Sequence, residues 1–395
     1  MGFREWSWAM SLRPLNAVFM RGGTSKALVF HQRDLPSERA RWAPIFLAAM
    51  GSPDPYGRQL DGMGGGLTSL SKVCVVGPPT HARADVDYTF AQVSVSQATV
   101  DYSGNCGNMS SAIGPFAVDE GLVAVPRDGE ACVRIHNTNT GKLIVARFAL
   151  DGGRAAVCGA LAIDGVAGTG APIRLEFRDL SGAKTGRLLP TGSPMQALAL
   201  ADGRSARASL VDAANPCLFV DAGDLGCAGT EAPEEIEGNA ELMSALESLR
   251  RIGSVAMGIA ASAEQAAQIR SIPFIGLVSR MQAHRVRGGN ALGPADADLC
   301  VRMLSSGTPH RAIPITSALC VAVACRTPGT LPAMLSAAGS GPIRIAHPSG
   351  VVMVEADREP GGGDGDAPAV RHASVYRTAR RLFQGQVLFS DEEHP

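Results

Sequence analysis

The amino-acid sequence predicts an α+β protein of two domains, and three observations carry that prediction. The chain has 395 residues, more than one hydrophobic core usually serves. Short apolar runs with two-residue alternation recur between glycine-rich and polar turns, the mark of strands and hairpins. Helical spacing is confined to a few stretches, and two of these are apolar segments that open directly at polar turns, near Cys106 and near Thr316.

Composition narrows the class. The apolar fraction is 45%, enough for folded cores, and the formal net charge is -1 with no long basic run. Such a chain lacks the electrostatic footprint for nucleic acid or an anionic membrane, and no apolar run reaches the length of a spanning helix. Nine cysteines, an odd number, occur without a CxxC pair or a His/Cys spacing suited to zinc. That pattern argues against a disulfide framework or a metal centre and fits a reducing, cytoplasmic setting. A small molecule is the expected partner, and a homodimer stays open.

In chain order, residues 1–14 read as an N-terminal extension, since Glu5 and the lack of a long apolar core argue against a secretory signal. Residues 15–20 form a strand that runs into the polar loop Arg21-Gly22-Gly23-Thr24-Ser25-Lys26. Helical spacing over 37–50 stops at the breakers of GSPDPYG. Residues 73–76 are a strand, 86–90 alternate, and 91–100 continue extended toward Cys106. A helix starting near Gly107 should kink or break at Gly114 and Pro115, because the proline cannot bond back to the carbonyl of Ser111. Residues 132–135 and 143–148 flank NTNTGK as a hairpin, and 173–177 form a further strand.

The breaker-rich passage 188–194 sets the expected boundary, giving a first domain over 15–192 and a second over 193–395. In the second, 208–211, 218–220 and 274–279 read as strands and 240–270 as helical. Residues 295–305 read as a helix led by Pro294, and 316–324 as a buried helix with hydroxyl residues at its start. Residues 351–356 and 370–376 form a hairpin whose tip is the glycine-rich 361–366. The last strand, 385–389, can pair back with the first domain.

The stretch 101–123, DYSGNCGNMSSAIGPFAVDEGLV, is the centre of the expected chemistry. Gly104 and Gly107 permit close backbone approach beside Cys106, while Asn105 and Asn108 suit helix capping. A helix beginning there aims unpaired N–H groups at the sulfur, which favours a thiolate and also a nearby anion. Most cysteines are small buried hydrophobes, but a packing role would not need Gly and Asn on both sides.

Lys72 ends the polar run DGMGGGLTSLSK and begins an apolar strand. The glycines do not form a dinucleotide site, because the third position of GxGxxG falls at Leu67 and the strand follows them. A half-sheltered lysine titrates closer to the range useful in proton transfer, although a solvated strand-end lysine is the commoner outcome. The loop at Arg21 offers N–H groups, hydroxyls and cations to a carboxylate. Thr316 and Ser317 repeat the theme, and two helix N-termini facing across a cleft would suit a di- or tricarboxylate.

Together MRGGTSK (20–26), DGMGGGLTSLSKV (61–73), the Cys106 stretch, LPTG (189–192), LVDAANPCLFVDAGDLG (210–226), HPSG (347–350) and YRTARRL (376–382) resemble the PrpF-like isomerases over nearly the whole chain. The resemblance implies the diaminopimelate epimerase-like fold, two similar domains, each a mostly antiparallel sheet wrapped around a central helix, with the active site in the interdomain cleft. It implies an isomerase or tautomerase needing neither cofactor nor metal. Such an enzyme shifts a C=C double bond in an aconitate, methylitaconate or 4-oxalomesaconate type of substrate by allylic proton transfer.

Lys72 and Cys106 match the family's acid-base pair, with the order of roles open. The expected substrate-binding set is Arg21, Gly23, Thr24, Ser25, Ser69, Asn105, Gly107, Asn108, Asn215, His310, Thr316 and Ser317. Where the family's second helix turn typically reads TGA, this chain has Thr316-Ser317-Ala318, so Ser317 either crowds a substrate carboxylate or adds a hydrogen bond to it.

Two other functions compete. An amino-acid epimerase or racemase of the same fold would need a second thiol near Ser317, and Cys320 lies about one helical turn further on. A non-catalytic carboxylate-binding protein would have no use for Lys72 and Cys106 together.

Overall fold

A computed structural model describes residues 12–178, 180–200, 203–358 and 370–390. Residues 1–11 of the expected extension and the expected tip 361–366 lie outside the described residues. The chain divides into two compact units, one of residues up to 175 together with 377 onward, the other of residues 176–376. Among the described residues, no helix is long and apolar enough to cross a membrane.

The first unit begins with a hairpin of β1 (Arg13–Gly22) and β2 (Ser25–His31), joined by Gly23 and Thr24 and closed by the pair Gly22 and Ser25. The loop expected over 21–26 is therefore a two-residue turn with strand pairing on both sides. Gly23 takes φ +50°, a conformation glycine adopts without a Cβ penalty. After helix α1 (Trp42–Met50), β3 (Lys72–Gly77) pairs parallel to β2 and β4 (Val86–Val93) pairs antiparallel to β3. The extended run expected to reach residue 100 stops at Val93, and a turn precedes the short strand β5 (Val100–Asp101).

Helix α2 (Gly107–Asp119) follows, and then β6 (Gly129–Asn137), parallel to β4, and β7 (Lys142–Asp151), antiparallel to β6. The chain's last strand, Ala379–Phe389, returns to pair along the whole length of β1.

Alternation divides these strands between two helices. Leu28, Phe30, Val73, Val75, Ala91 and Val93 face α1, whose Trp42, Phe46, Ala49 and Met50 fill the same core. The opposite face packs on α2, as the ring contact of His31 with Phe116 at 5.0 Å shows. Lys72, Cys74, Tyr88, Phe90 and Gln92 share that second face by their register.

Helix α2 is buried from Met109 to Val118 and continues as one helix through Pro115, so the break expected there does not occur. An interior proline costs about 3 kcal/mol, but Met109, Ile113 and Phe116 are each fully buried and each worth about 1.5–3 kcal/mol. Gly114 has a packing reason: a Cβ there would stand 2.8 Å from the Phe148 ring and 2.9 Å from the Ala146 Cβ on β7.

The second unit repeats the order of pairings. The strand Ser205–Ala213 pairs antiparallel to Asn215–Asp221, which is parallel to Phe274–Ser279, itself antiparallel to Leu299–Ser305. Leu299–Ser305 then pairs parallel to Ile343–His347, and that strand antiparallel to Gly350–Arg358. Its central helix, Ile315–Cys325, is buried from Ser317 to Ala324. Gly350–Arg358 and Val370–Arg377 form the expected hairpin.

Three expectations are corrected here. The region 295–305 is not a helix but contains the strand Leu299–Ser305, which lies between two other strands and is buried on both faces from Leu299 to Leu304, Arg302 included, so the two-residue alternation is hidden. The helical region 240–270 divides into Ala240–Ala256 and Ala263–Gln268 around Gly258 at φ +70°. The passage 188–194 lies inside the second unit, not at its border. Asp212 N–H donates to the Leu188 carbonyl at 2.9 Å and the Ser209 hydroxyl to the Pro194 carbonyl at 2.6 Å, so these breakers form a turn packed on Ser205–Ala213.

Candidate active site

Lys72 opens β3 and is only 7% exposed, more sheltered than its place at a strand end suggests. Its Nζ donates to Gln92 Oε1, directly opposite on β4, and stands 5.0 Å from the centroid of the Phe90 ring. Ser69 sits just before it in the short 3-10 turn Thr68–Leu70, half-buried. Two residues beyond Lys72, the buried Cys74 thiol lies 3.9 Å from the Tyr88 hydroxyl. Burial pushes the Cys74 thiol far up, Cys106 adds to the rise, and the Tyr88 hydroxyl and Lys72 offset part of it. Lys72 has Ala27 as its register partner on β2, and Ser25 lies two residues before Ala27 on the same face.

Cys106 is the N-cap of α2, in extended conformation, with its carbonyl accepting the N–H of Ser110 at 2.9 Å. Its Sγ lies 4.0 Å from the hydroxyl of Ser25, which is 3% exposed. The turn is braced from behind: Asn105 Oδ1 accepts from the Ser110 hydroxyl at 3.3 Å and from Asn137 Nδ2 at 3.4 Å. Gly107 starts the helix, and its first-turn N–H groups have no intrahelical acceptor.

The β1–β2 turn lies against this helix end. Asn108 Nδ2 donates to the Thr24 hydroxyl at 3.1 Å, and its Oδ1 accepts from Arg377 Nε at 3.1 Å. A Cβ at Gly22 would stand 2.6 Å from the Asn108 carbonyl oxygen, and one at Gly23 would overlap the Asn108 side chain. Arg21 is turned to its own hairpin: Nη1 donates to the carbonyls of Gly23 and Thr378, each at 3.0 Å. Burial, and then the charge of Arg380, lowers its pKa. The structure thus gathers Gly23, Thr24, Ser25, Asn105, Gly107 and Asn108 around Cys106, and Arg21 serves first as a clamp beneath the turn.

Four expected residues lie in the second unit. Thr316 is exposed and Ser317 fully buried in the first turn of Ile315–Cys325, and Asn215 starts the strand that follows Ala214 at φ +60°. His310 is engaged within its unit, with Nε2 2.8 Å from the Ser305 hydroxyl and its ring stacked on Phe274 at 5.8 Å; burial lowers its pKa. Cys320 is buried with its thiol 3.6 Å from the Val211 carbonyl, so it offers no second exposed thiol.

Two residues escaped the sequence reading. Gln92 looks like any polar residue in an alternating strand until register sets it against Lys72. Arg377 was part of YRTARRL, but only the return of the chain's end to the first unit brings it to Asn108, where burial lowers its guanidinium to about 10. Among the described residues, no group of three or more His, Cys, Asp and Glu side chains is placed to hold a metal ion.

Comparison with known proteins gives a family and close relatives. The PrpF protein family matches residues 12–390. The chain is 41% identical over 375 residues to a 3-methylitaconate isomerase of Eubacterium barkeri, covering 94% of this chain and 96% of that one. It is 35% identical over 382 residues to a 2-methyl-aconitate isomerase of Cupriavidus necator, with the same coverage. The crystal structure of a methylitaconate-delta-isomerase is similar at a TM-score of 0.86 and 40% identity, covering 97% of this chain and 99% of that one.

Proposed function

This chain belongs to the PrpF family and is an isomerase, and from that premise we propose that it shifts a C=C double bond within an unsaturated di- or tricarboxylate by allylic proton transfer between Lys72 and Cys106. The observation that carries the reading is the placement over one sheet face of a sheltered amine and a half-buried thiol at a helix N-terminus, the thiol 4.0 Å from the hydroxyl of Ser25, two residues before the register partner of Lys72 on β2.

The chemistry balances without a redox partner. One group takes a proton from the carbon next to a carboxylate, the double bond moves as charge spreads into that carboxylate, and the other group delivers a proton to the far allylic carbon. Fixed donors near the developing charge lower the barrier, each worth about 2.7–4 kcal/mol where one has been removed from such a site. The first-turn N–H groups of α2, with Ser25, Thr24 and Asn108, are the donors of the first unit. Asn215, His310, Thr316 and Ser317 are proposed as further carboxylate contacts, and Ser317 as one determinant of which polycarboxylate is accepted. No metal or organic cofactor takes part in this scheme.

The test is a proton NMR assay of cis-aconitate, trans-aconitate, methylitaconate and oxalomesaconate for migration of the vinyl signal, using protein dialysed against EDTA. Turnover is expected with at least one substrate, and Lys72→Ala and Cys106→Ala should each lose on the order of 10²–10⁴-fold while keeping native circular dichroism. Near wild-type turnover in either variant would remove that residue from the scheme. Activity lost to EDTA and restored by added metal would overturn the cofactor-free chemistry.

A further inference from the structure

Resting on the reading of Lys72 as one of the two acid-base groups, we infer that Gln92 is its positioning residue, and that its neutrality leaves the amine free to gain and lose a proton. Lys72 and Gln92 are directly opposed in the antiparallel pairing of β3 and β4, so their side chains are nearest neighbours on one face. The orientation of the amide is fixed from its other end. Nε2 donates to the Ser71 carbonyl at 2.9 Å and to the Thr68 carbonyl at 3.0 Å, which leaves Oε1 as the atom that meets Lys72 Nζ. The Phe90 ring bounds the amine on a further side.

The surroundings make the neutral partner significant. Among the described residues Lys72 forms no ion pair. The titratable groups on its face of the sheet are the Cys74 thiol and the Tyr88 hydroxyl, with the Cys106 thiol at the start of α2, 4.0 Å from Ser25 on the same face. On the parallel neighbour β2 the register partner is Ala27, while Lys26 lies over the Phe19 ring and His31 is bonded to Glu120. One strand beyond Gln92, Asp101 is its register partner on β5, and that carboxylate accepts the N–H of Ser103 at 2.7 Å. Gln92 therefore stands between the amine and the carboxylate in the row.

A carboxylate at position 92 would pin Lys72 as an ammonium, since an adjacent opposite charge shifts a titration by about 1–3 units. An apolar side chain would leave the amine without its acceptor. The amide oxygen can accept a hydrogen bond from either protonation state, so it orients Lys72 throughout a cycle in which the proton comes and goes.

The experiment compares wild type, Gln92→Glu and Gln92→Met, with the Lys72 titration read directly by lysine 13Cε NMR and assigned with Lys72→Arg. Expected is an upward movement of the Lys72 midpoint by about one unit or more in Gln92→Glu, and a downward movement in Gln92→Met. In both, kcat should fall at least about tenfold with KM changed far less, as for a loss felt in the transition state. A Gln92 that merely braces residues 68–71 would lower the melting temperature and leave the midpoint in place, and that result overturns the inference. If Gln92→Glu does not fold, the direction of movement in Gln92→Met decides alone. Activity retained by Lys72→Ala would refute the acid-base reading, a failure separate from that of the NMR midpoints.

Discussion

At the scale of single residues, the nine cysteines separate by environment. Burial first, then Cys106, drives the Cys74 thiol upward; burial and the adjacent Cys320 do the same for Cys217, and burial brings Cys325 up to about 12. A raised thiol stays protonated and unreactive until the pH passes its shifted value. Iodoacetamide at pH 8 should therefore label Cys106, which is half-buried, and the exposed Cys132 and Cys158, and spare Cys74, Cys217 and Cys325. Peptide mass spectrometry checks this, and alkylation of Cys74 ahead of Cys106 would contradict the assignment. The place of Cys106 at the start of a helix was legible because Gly and Asn flank it. Cys74, inside an apolar run, reads as a core residue and is one.

At the scale of elements, the site depends on how closely the β1–β2 turn meets the end of α2. Gly22→Ala puts a Cβ 2.6 Å from the Asn108 carbonyl oxygen, a backbone atom that cannot swing aside. The expected result is a loss of kcat/KM approaching 10²-fold, the scale of a misplacement of about 1 Å, with a lowered melting temperature; unchanged kinetics would show that turn and helix are not coupled.

The other end of α2 is held by charge: Glu120 accepts from His31 Nε2 at 3.0 Å and pairs with Arg381 at 2.7 Å. Burial raises the pKa of Glu120, but the His31 and Arg381 bonds outweigh it and leave the carboxylate below its ordinary value. A depressed carboxylate stabilises the fold above its unfolded pKa, and that contribution fades as pH falls through the folded value. Glu120→Gln should cost about 1 kcal/mol at pH 7 after allowing for solvent screening, with the difference from wild type shrinking below about pH 4. Urea unfolding at both pH values measures it, and a gap that widens in acid would reverse the sign.

At the scale of the whole molecule, the first unit is completed by the far end of the chain. The strand Ala379–Phe389 covers one edge of β1, and Thr378 and Arg377 reach the turn and Asn108 beside Cys106. Truncation after residue 376 should abolish isomerase activity and expose the β1 edge to aggregation. Analytical gel filtration with the NMR assay reads both. A soluble, active protein ending at 376 would show that the last strand is dispensable.

The sequence by itself determined the turn at Cys106, the helix that follows it and the lysine at the head of a strand, because those depend on neighbours within a few residues: capping, glycine freedom and alternation. It also determined the two-unit scale, through length and apolar content. Only the tertiary structure decided the strand at 299–305, the unbroken passage of α2 through Pro115, the early division between units and the pairing of Gln92 with Lys72. Each of these is set by partners distant in sequence. A strand buried on both faces loses its alternation, packing against surrounding strands outweighs a proline, and a lysine's neighbour is chosen by register.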